Sequence, residues 1–60
     1  MSRTEHIIYI NEQMDFIHEK TIELYESMAD LEYKNVVAIC DQLIIKLKEI
    51  KLDHTDETLL

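Results

Sequence analysis

Sixty residues without a single glycine or proline exclude phosphate-cradling loops and glycine-dependent tight turns, so the organisation has to come from helices. A formal charge of −7, from 13 acidic and 6 basic residues, repels polyanions; it disfavours generic nucleic-acid binding and points to a basic or mixed protein surface as partner. One cysteine allows no intramolecular disulfide, and with no signal-like region and no apolar run of bilayer length the expected location is cytoplasmic, away from membrane.

In chain order, Ser2 and Glu5 have the S-x-x-E spacing of a capping box, which predicts a first helix from residue 3 to about residue 29. Steps of three and four residues then link Ile7, Ile10, Met14, Ile17, Thr21, Leu24, Met28 and Leu31, the spacing of one apolar helical stripe. After a phase slip the pattern restarts at Tyr33, Val36, Cys40, Leu43, Leu47 and Ile50. The slip predicts a turn at about residues 30–32, with Asp30 and Asn35 as turn or cap residues; one long helix with a discontinuity is the rival topology. The second helix is expected over about residues 33–52. Residues 53–60, with Asp56, Glu57 and the poor helix formers Thr55 and Thr58, read as an acidic tail.

The fold class is therefore all-α, a single helical-hairpin domain. A hairpin of this size buries too little surface to be comfortable alone, so two copies are expected to bury their stripes against each other as a homodimeric four-helix bundle. The fourteen stripe residues from Ile7 to Ile50 would form the dimer core, with Thr21 and Cys40 as its small members. The pattern leaves open whether the copies run parallel or antiparallel, or form a tetramer.

Departures from a polar outer side point to function. Ile8, Tyr9, Phe16 and Ile22 fall off the stripe among Glu12, Asp15, Glu19, Glu23 and Glu26, and Ala38, Ile45 and Leu52 form an outer line on the second helix. Ile8, Tyr9, Glu12, Phe16, Glu19 and Ile22 are the candidate partner-binding residues, with Tyr9 and Phe16 as aromatic anchors and the acids steering a basic partner. Packing of the same residues against neighbouring helices or a higher oligomer is the alternative.

Catalytic, cofactor and metal constellations are not found. Asp15 and His18 have the spacing of a bundle metal motif but lie off the stripe, and neither Cys40, Ser2 nor Ser27 has a base and an orienting group in view. His6 and His18 are expected to face solvent, and His54 to lie in the fraying end.

Thr4, Phe16-Ile17, Thr21, Leu24, Glu26, Leu31, Ile39-Cys40, Leu43 and Glu49 resemble, without a gap, the Rop family of plasmid RNA-binding helical-hairpin dimers. The resemblance implies a four-helix dimer that holds RNA on the outer side of its first helices. Phe16 matches the exposed phenylalanine of that side and Lys20 stands where an amide is expected, whereas Glu5, Glu12 and Ser27 replace its cationic and amide groups and add repulsion. The stretch from Val37 to Ile44 is similar to the S-Q-x-L-D region of the Spo0E-like aspartyl-phosphate phosphatases, but Cys40, Asp41 and Ile44 replace the Ser, Gln and Asp that would carry that chemistry.

The reading that results is a small non-enzymatic regulatory protein, adaptor or inhibitor, that binds another protein as a homodimer. A Rop-like RNA-binding regulator and a structural subunit of a larger helical assembly are the alternatives. Abundant Ile and Lys suit an AT-rich bacterial, plasmid or phage genome.

Overall fold

The computed structural model describes residues 2–55; residues 56–60 of the expected acidic tail lie outside them. It is an all-α helical hairpin: α1 is Arg3–Ala29 and α2 is Tyr33–Asp53, with no strand among the described residues. The two helices run antiparallel, and the molecule measures 42 × 24 × 11 Å. Its smallest dimension is one helix diameter, so the hairpin is a single layer with no second layer to cover it.

Local chemistry accounts for the ends of α1. The Ser2 hydroxyl accepts from the Glu5 amide at 3.1 Å, and the Glu5 carboxylate accepts from the Ser2 amide at 3.3 Å, which satisfies two amides that the first turn leaves without helical partners. At the other end Asp30 is the C-cap and the chain reverses through Leu31, whose φ is 58°. The Glu32 amide donates to the Ser27 carbonyl at 2.9 Å and the Leu31 amide to the Met28 carbonyl at 3.3 Å, the pair of bonds that defines a Schellman ending.

That ending usually places glycine at the left-handed position, whereas this chain uses an exposed leucine. Left-handed backbone costs an L-residue roughly 1–2 kcal/mol. Leu31→Gly is therefore expected to stabilise the fold by about 0.5–1 kcal/mol, the relief being reduced by glycine's extra freedom in the unfolded chain. A urea midpoint that falls instead would show that the Leu31 side chain is covered in the assembled protein.

Asn35, expected as a turn or cap residue, does not cap α2. The N-cap is Glu32, which makes no side-chain cap bond, because only Leu31 and Glu32 separate the C-cap of α1 from the start of α2. Asn35 instead donates its side-chain amide back to the Glu32 carboxylate. The far end of α2 reaches Asp53, one residue beyond expectation, and His54 caps it.

Between the helices, the α1 stripe does not point across, whereas the α2 stripe does so in part. Tyr9, Gln13, Phe16, Lys20, Glu23 and Ser27 of α1 turn toward α2, which answers with Val36, Ile39, Leu43, Lys46 and Ile50, all buried or half-buried. One residue step is about 100°, so on α1 this line lies roughly a quarter turn from the stripe, while on α2 it shares Val36, Leu43 and Ile50 with it. Along the stripe, Ile17, Leu24, Val36, Cys40, Leu43 and Ile50 are half-buried at its inner edge, whereas Ile7, Ile10, Met14, Thr21, Met28, Leu31, Tyr33 and Leu47 stay exposed. The physical reason is that the stems of Gln13, Lys20, Glu23 and Lys46 close the helix crossing while their polar heads reach water, and small Ser27 permits close approach near the turn.

The result is a hairpin with almost no interior of its own. Among the described residues only Ile39, 7% exposed, and Ser27, 9%, are buried. The chain exposes 5198 Å², whereas a compact monomer of its 7.2 kDa would expose about 4,100 Å².

Candidate interaction surface

The hairpin presents three surfaces. The front is the stripe itself: Ile7, Ile10, Met14, Ile17, Thr21, Leu24 and Met28 on α1, beside Tyr33, Val36, Cys40, Leu43, Leu47 and Ile50 on α2. Val37 and Ile44, both exposed, extend it at helical spacing. None of these side chains carries a charge, but the same spacing sets the exposed Asp41 beside Val37 and Ile44, Lys48 beside Ile44 and Lys51 beside Leu47. Near the open end of the hairpin the front deepens into a groove of about 300 Å³ lined by His6, Tyr9, Ile10, Gln13, Met14, Ile50 and His54.

The back carries Lys20 and Lys46, two of the six basic residues. The Phe16 ring has the Lys46 ammonium 4.9 Å from its centroid and the Lys20 ammonium at 5.7 Å, within the range of cation–π attraction. Each lysine also pairs along its own helix, Lys20 with Glu23 at 3.1 Å and Lys46 with Glu49 at 3.4 Å, so the local charge is balanced. Phe16, Gln42, Ile45, Lys46 and Glu49 line a shallow groove of about 260 Å³. A more polar one of about 300 Å³ lies toward the turn, between Lys20, Glu23, Ser27, Asn35, Ala38, Ile39 and Gln42.

The third surface is the outer side of α1. Ile8, Glu12, Glu19 and Ile22 are exposed there, with Asp15 and Glu26 on the same side by helical spacing. The two aromatic anchors expected among them are placed differently. Phe16 is half-buried at the helix crossing under the two lysines. Tyr9 is also half-buried, and its hydroxyl donates to an Asp53 carboxylate oxygen at 2.8 Å. Both lie on the line that closes the hairpin, where an aromatic ring gains more by packing than by facing water.

Tyr25 is the exposed aromatic residue nearest that side. It is 77% exposed and three residues from Ile22, hence adjacent to it on the helix. Sequence reasoning passed over it, although its place between the stripe and the outer side of α1, four residues after Thr21 and three after Ile22, was readable from the spacing.

At the open end, Tyr9 and His54 form a small tie between the helices. The His54 ring lies 6.2 Å from the Tyr9 ring, and its Nδ1 is 2.8 Å from the Ile50 carbonyl. His54, expected in a fraying end, is thus half-buried and held by the last turn of α2, where its amide also donates to the Lys51 carbonyl at 3.2 Å. His6 and His18 are exposed.

The Tyr9 phenol is held above its ordinary value of 10.0, first by the hydrogen bond to Asp53, then by burial and by the charge of Asp53. Because the folded value exceeds the unfolded one, the stability from this tie is complete below the unfolded value and is lost as pH rises through the folded one. The Tyr9→Phe chain is accordingly expected to lose less stability than the parent as pH rises above about 10, read as the shift in urea midpoint. An unchanged alkaline profile would show that the tie does not contribute in solution.

Cys40 is a free, half-buried thiol. Among the described residues no group of three His, Cys, Asp or Glu side chains is arranged to hold a metal ion, and no helix is long and apolar enough to cross a membrane. No protein-family model matches the chain, and neither a curated protein nor a solved structure matches it.

Proposed function

We propose that this chain is a small non-enzymatic regulatory protein of the cytoplasm that acts as a homodimer and binds another protein, as adaptor or inhibitor. The observation that carries this reading is the exposed apolar stripe of a hairpin only one helix thick, with just Ile39 buried among its described apolar residues. A chain built this way is completed by association. The outer side of α1 supports the second half of the reading: Ile8, Ile22 and Tyr25 are apolar anchors in an acidic surround of Glu12 and Glu19, which suits a partner with basic and apolar groups.

The test is retention of a polypeptide from bacterial lysate on the tagged full chain, compared with a Ile22→Ala/Tyr25→Ala chain of equal helicity. Retention that survives nuclease, weakens with salt and is lost in the double variant supports the reading. Equal retention on both chains sinks the proposed surface.

A second reading, an RNA-binding regulator in the manner of the Rop family, is favoured by the two ammonium groups over Phe16. It is opposed by the charge of −7 and by the glutamates that already pair those lysines. RNA retained only without nuclease, with a steep loss on added salt, would replace the protein-binding reading by this one.

A further inference from the structure

We propose that the outer edge of α2 is a further self-contact, which joins one homodimer to the next. The edge pairs, antiparallel and about a two-fold axis, with the same edge of another copy, so that Asp41 of each meets Lys48 of the other. The proposal rests on the homodimer reading, because the edge keeps its shape only on a hairpin whose front is covered.

Asp41 lies about half a turn from the line that α2 presents to α1, hence on the side directly away from it. Val37 and Ala38 stand one turn before it and Ile44 and Ile45 one turn after; Lys48 follows, beside Ile44, Ile45 and Leu52. All of these residues are exposed, and Val37, Ile44, Ile45 and Leu52 are each between 48% and 73% exposed. Large apolar side chains on both flanks of one carboxylate form a patch rather than scattered surface residues, and such a patch marks a contact. Among the described residues the ion pairs are Lys20 with Glu23 and Lys46 with Glu49, so neither Asp41 nor Lys48 is engaged. Two helical turns, roughly 10 Å, keep them from pairing with each other.

The order of charges selects the occupant. A parallel copy would set Asp41 against Asp41 and Lys48 against Lys48, and the acidic outer side of another copy's α1 would suit Lys48 but repel Asp41. An antiparallel α2 with Asp41 opposite Lys48 satisfies both ions at once. Asp41 opposite Lys34 would also pair them, but the overlap would then stop near Gln42 and leave Ile45 and Leu52 uncovered. With the two-fold axis normal to the helical layer, each flank of the edge meets its own counterpart. On the flank shared with the front, Ile44 meets Ile44 of the other copy and Val37 meets the apolar stem of Lys51. On the flank toward the back, Ile45 meets Ile45, and small Ala38 meets Leu52, as close packing requires. The outer line of Ala38, Ile45 and Leu52 is thus complementary to its own reverse, which is the condition for a two-fold contact. Its apolar flanks supply affinity, and the paired ions between them set the register.

The test is sedimentation velocity of the full chain over a dilution series, for the parent, Asp41→Lys, Lys48→Asp and the double variant Asp41→Lys/Lys48→Asp, with circular dichroism as the check on helicity. The parent is expected to form the dimer first and a heavier particle as concentration rises. Each single variant sets two like-charged pairs across the axis and should lower the second association constant by about 100-fold or more, and the double variant should restore it. The single changes move the net charge in opposite directions, so a general charge effect would weaken one association and strengthen the other. That result, single variants that associate as the parent does, or a double variant as weak as the singles overturns the contact. A parent that never exceeds the mass of a dimer also overturns it and leaves the homodimer reading intact. A monomer at every concentration overturns both.

Discussion

Replacing Met14 by Asp is expected to abolish self-association. Met14 is 42% exposed in the hairpin and sits mid-way along the apolar stripe of α1, so in the proposed dimer the new carboxylate would be buried among apolar side chains. An uncompensated buried charge costs about 3 kcal/mol or more, which is over 100-fold in the association constant. Helicity should fall with association, because the front supplies most of the apolar contact available to the chain. Sedimentation velocity and circular dichroism over a dilution series read both effects. Ile22→Asp is the control: Ile22 is 61% exposed on the outer side of α1, where a surface substitution changes stability by about 0.5 kcal/mol or less. A Met14→Asp chain that still associates as the parent does would move the contact elsewhere.

The second large effect is expected at Ile39. It is the one buried apolar side chain among the described residues, so Ile39→Ala should cost about 2–4 kcal/mol, combining lost transfer energy with the cavity left behind. Ile45→Ala removes the same groups from a side chain 58% exposed, and its cost should stay below about 1 kcal/mol. Urea unfolding at equal chain concentration reads the difference as a lower midpoint at unchanged slope, the concentration being held because a dimer's stability depends on it. Equal costs at the two positions would mean that the interior of the hairpin contributes no more than its surface.

Both predictions depend on how each helix is rotated about its axis. Capping by Ser2 and Glu5, unbroken helical spacing and the slip after Leu31 were legible because they are local: each rests on backbone groups or side chains within one turn. The same locality made the stripe visible as a stripe. Its orientation was not legible. A periodic apolar line says that a helix has a dry side without saying whether that side meets its own hairpin partner or a separate molecule.

The candidate site followed the same division. Ile8, Glu12, Glu19 and Ile22 are on the outer side of α1, as their spacing from the stripe indicated, because opposite sides of one helix are set by the 3.6-residue period alone. Phe16 and Tyr9 were displaced from that side by contacts that no local rule contains: Lys46, thirty positions from Phe16, and Asp53, hydrogen-bonded to Tyr9 across the hairpin.

Residue order therefore accounts for two amphipathic helices, their ends and the reversal between them, since these arise from neighbours in sequence. Packing accounts for the offset that buries Ile39, engages Phe16 and Tyr9, and leaves the α1 stripe outside. It does so because long polar side chains with apolar stems close the helix crossing more readily than they could be removed from water altogether.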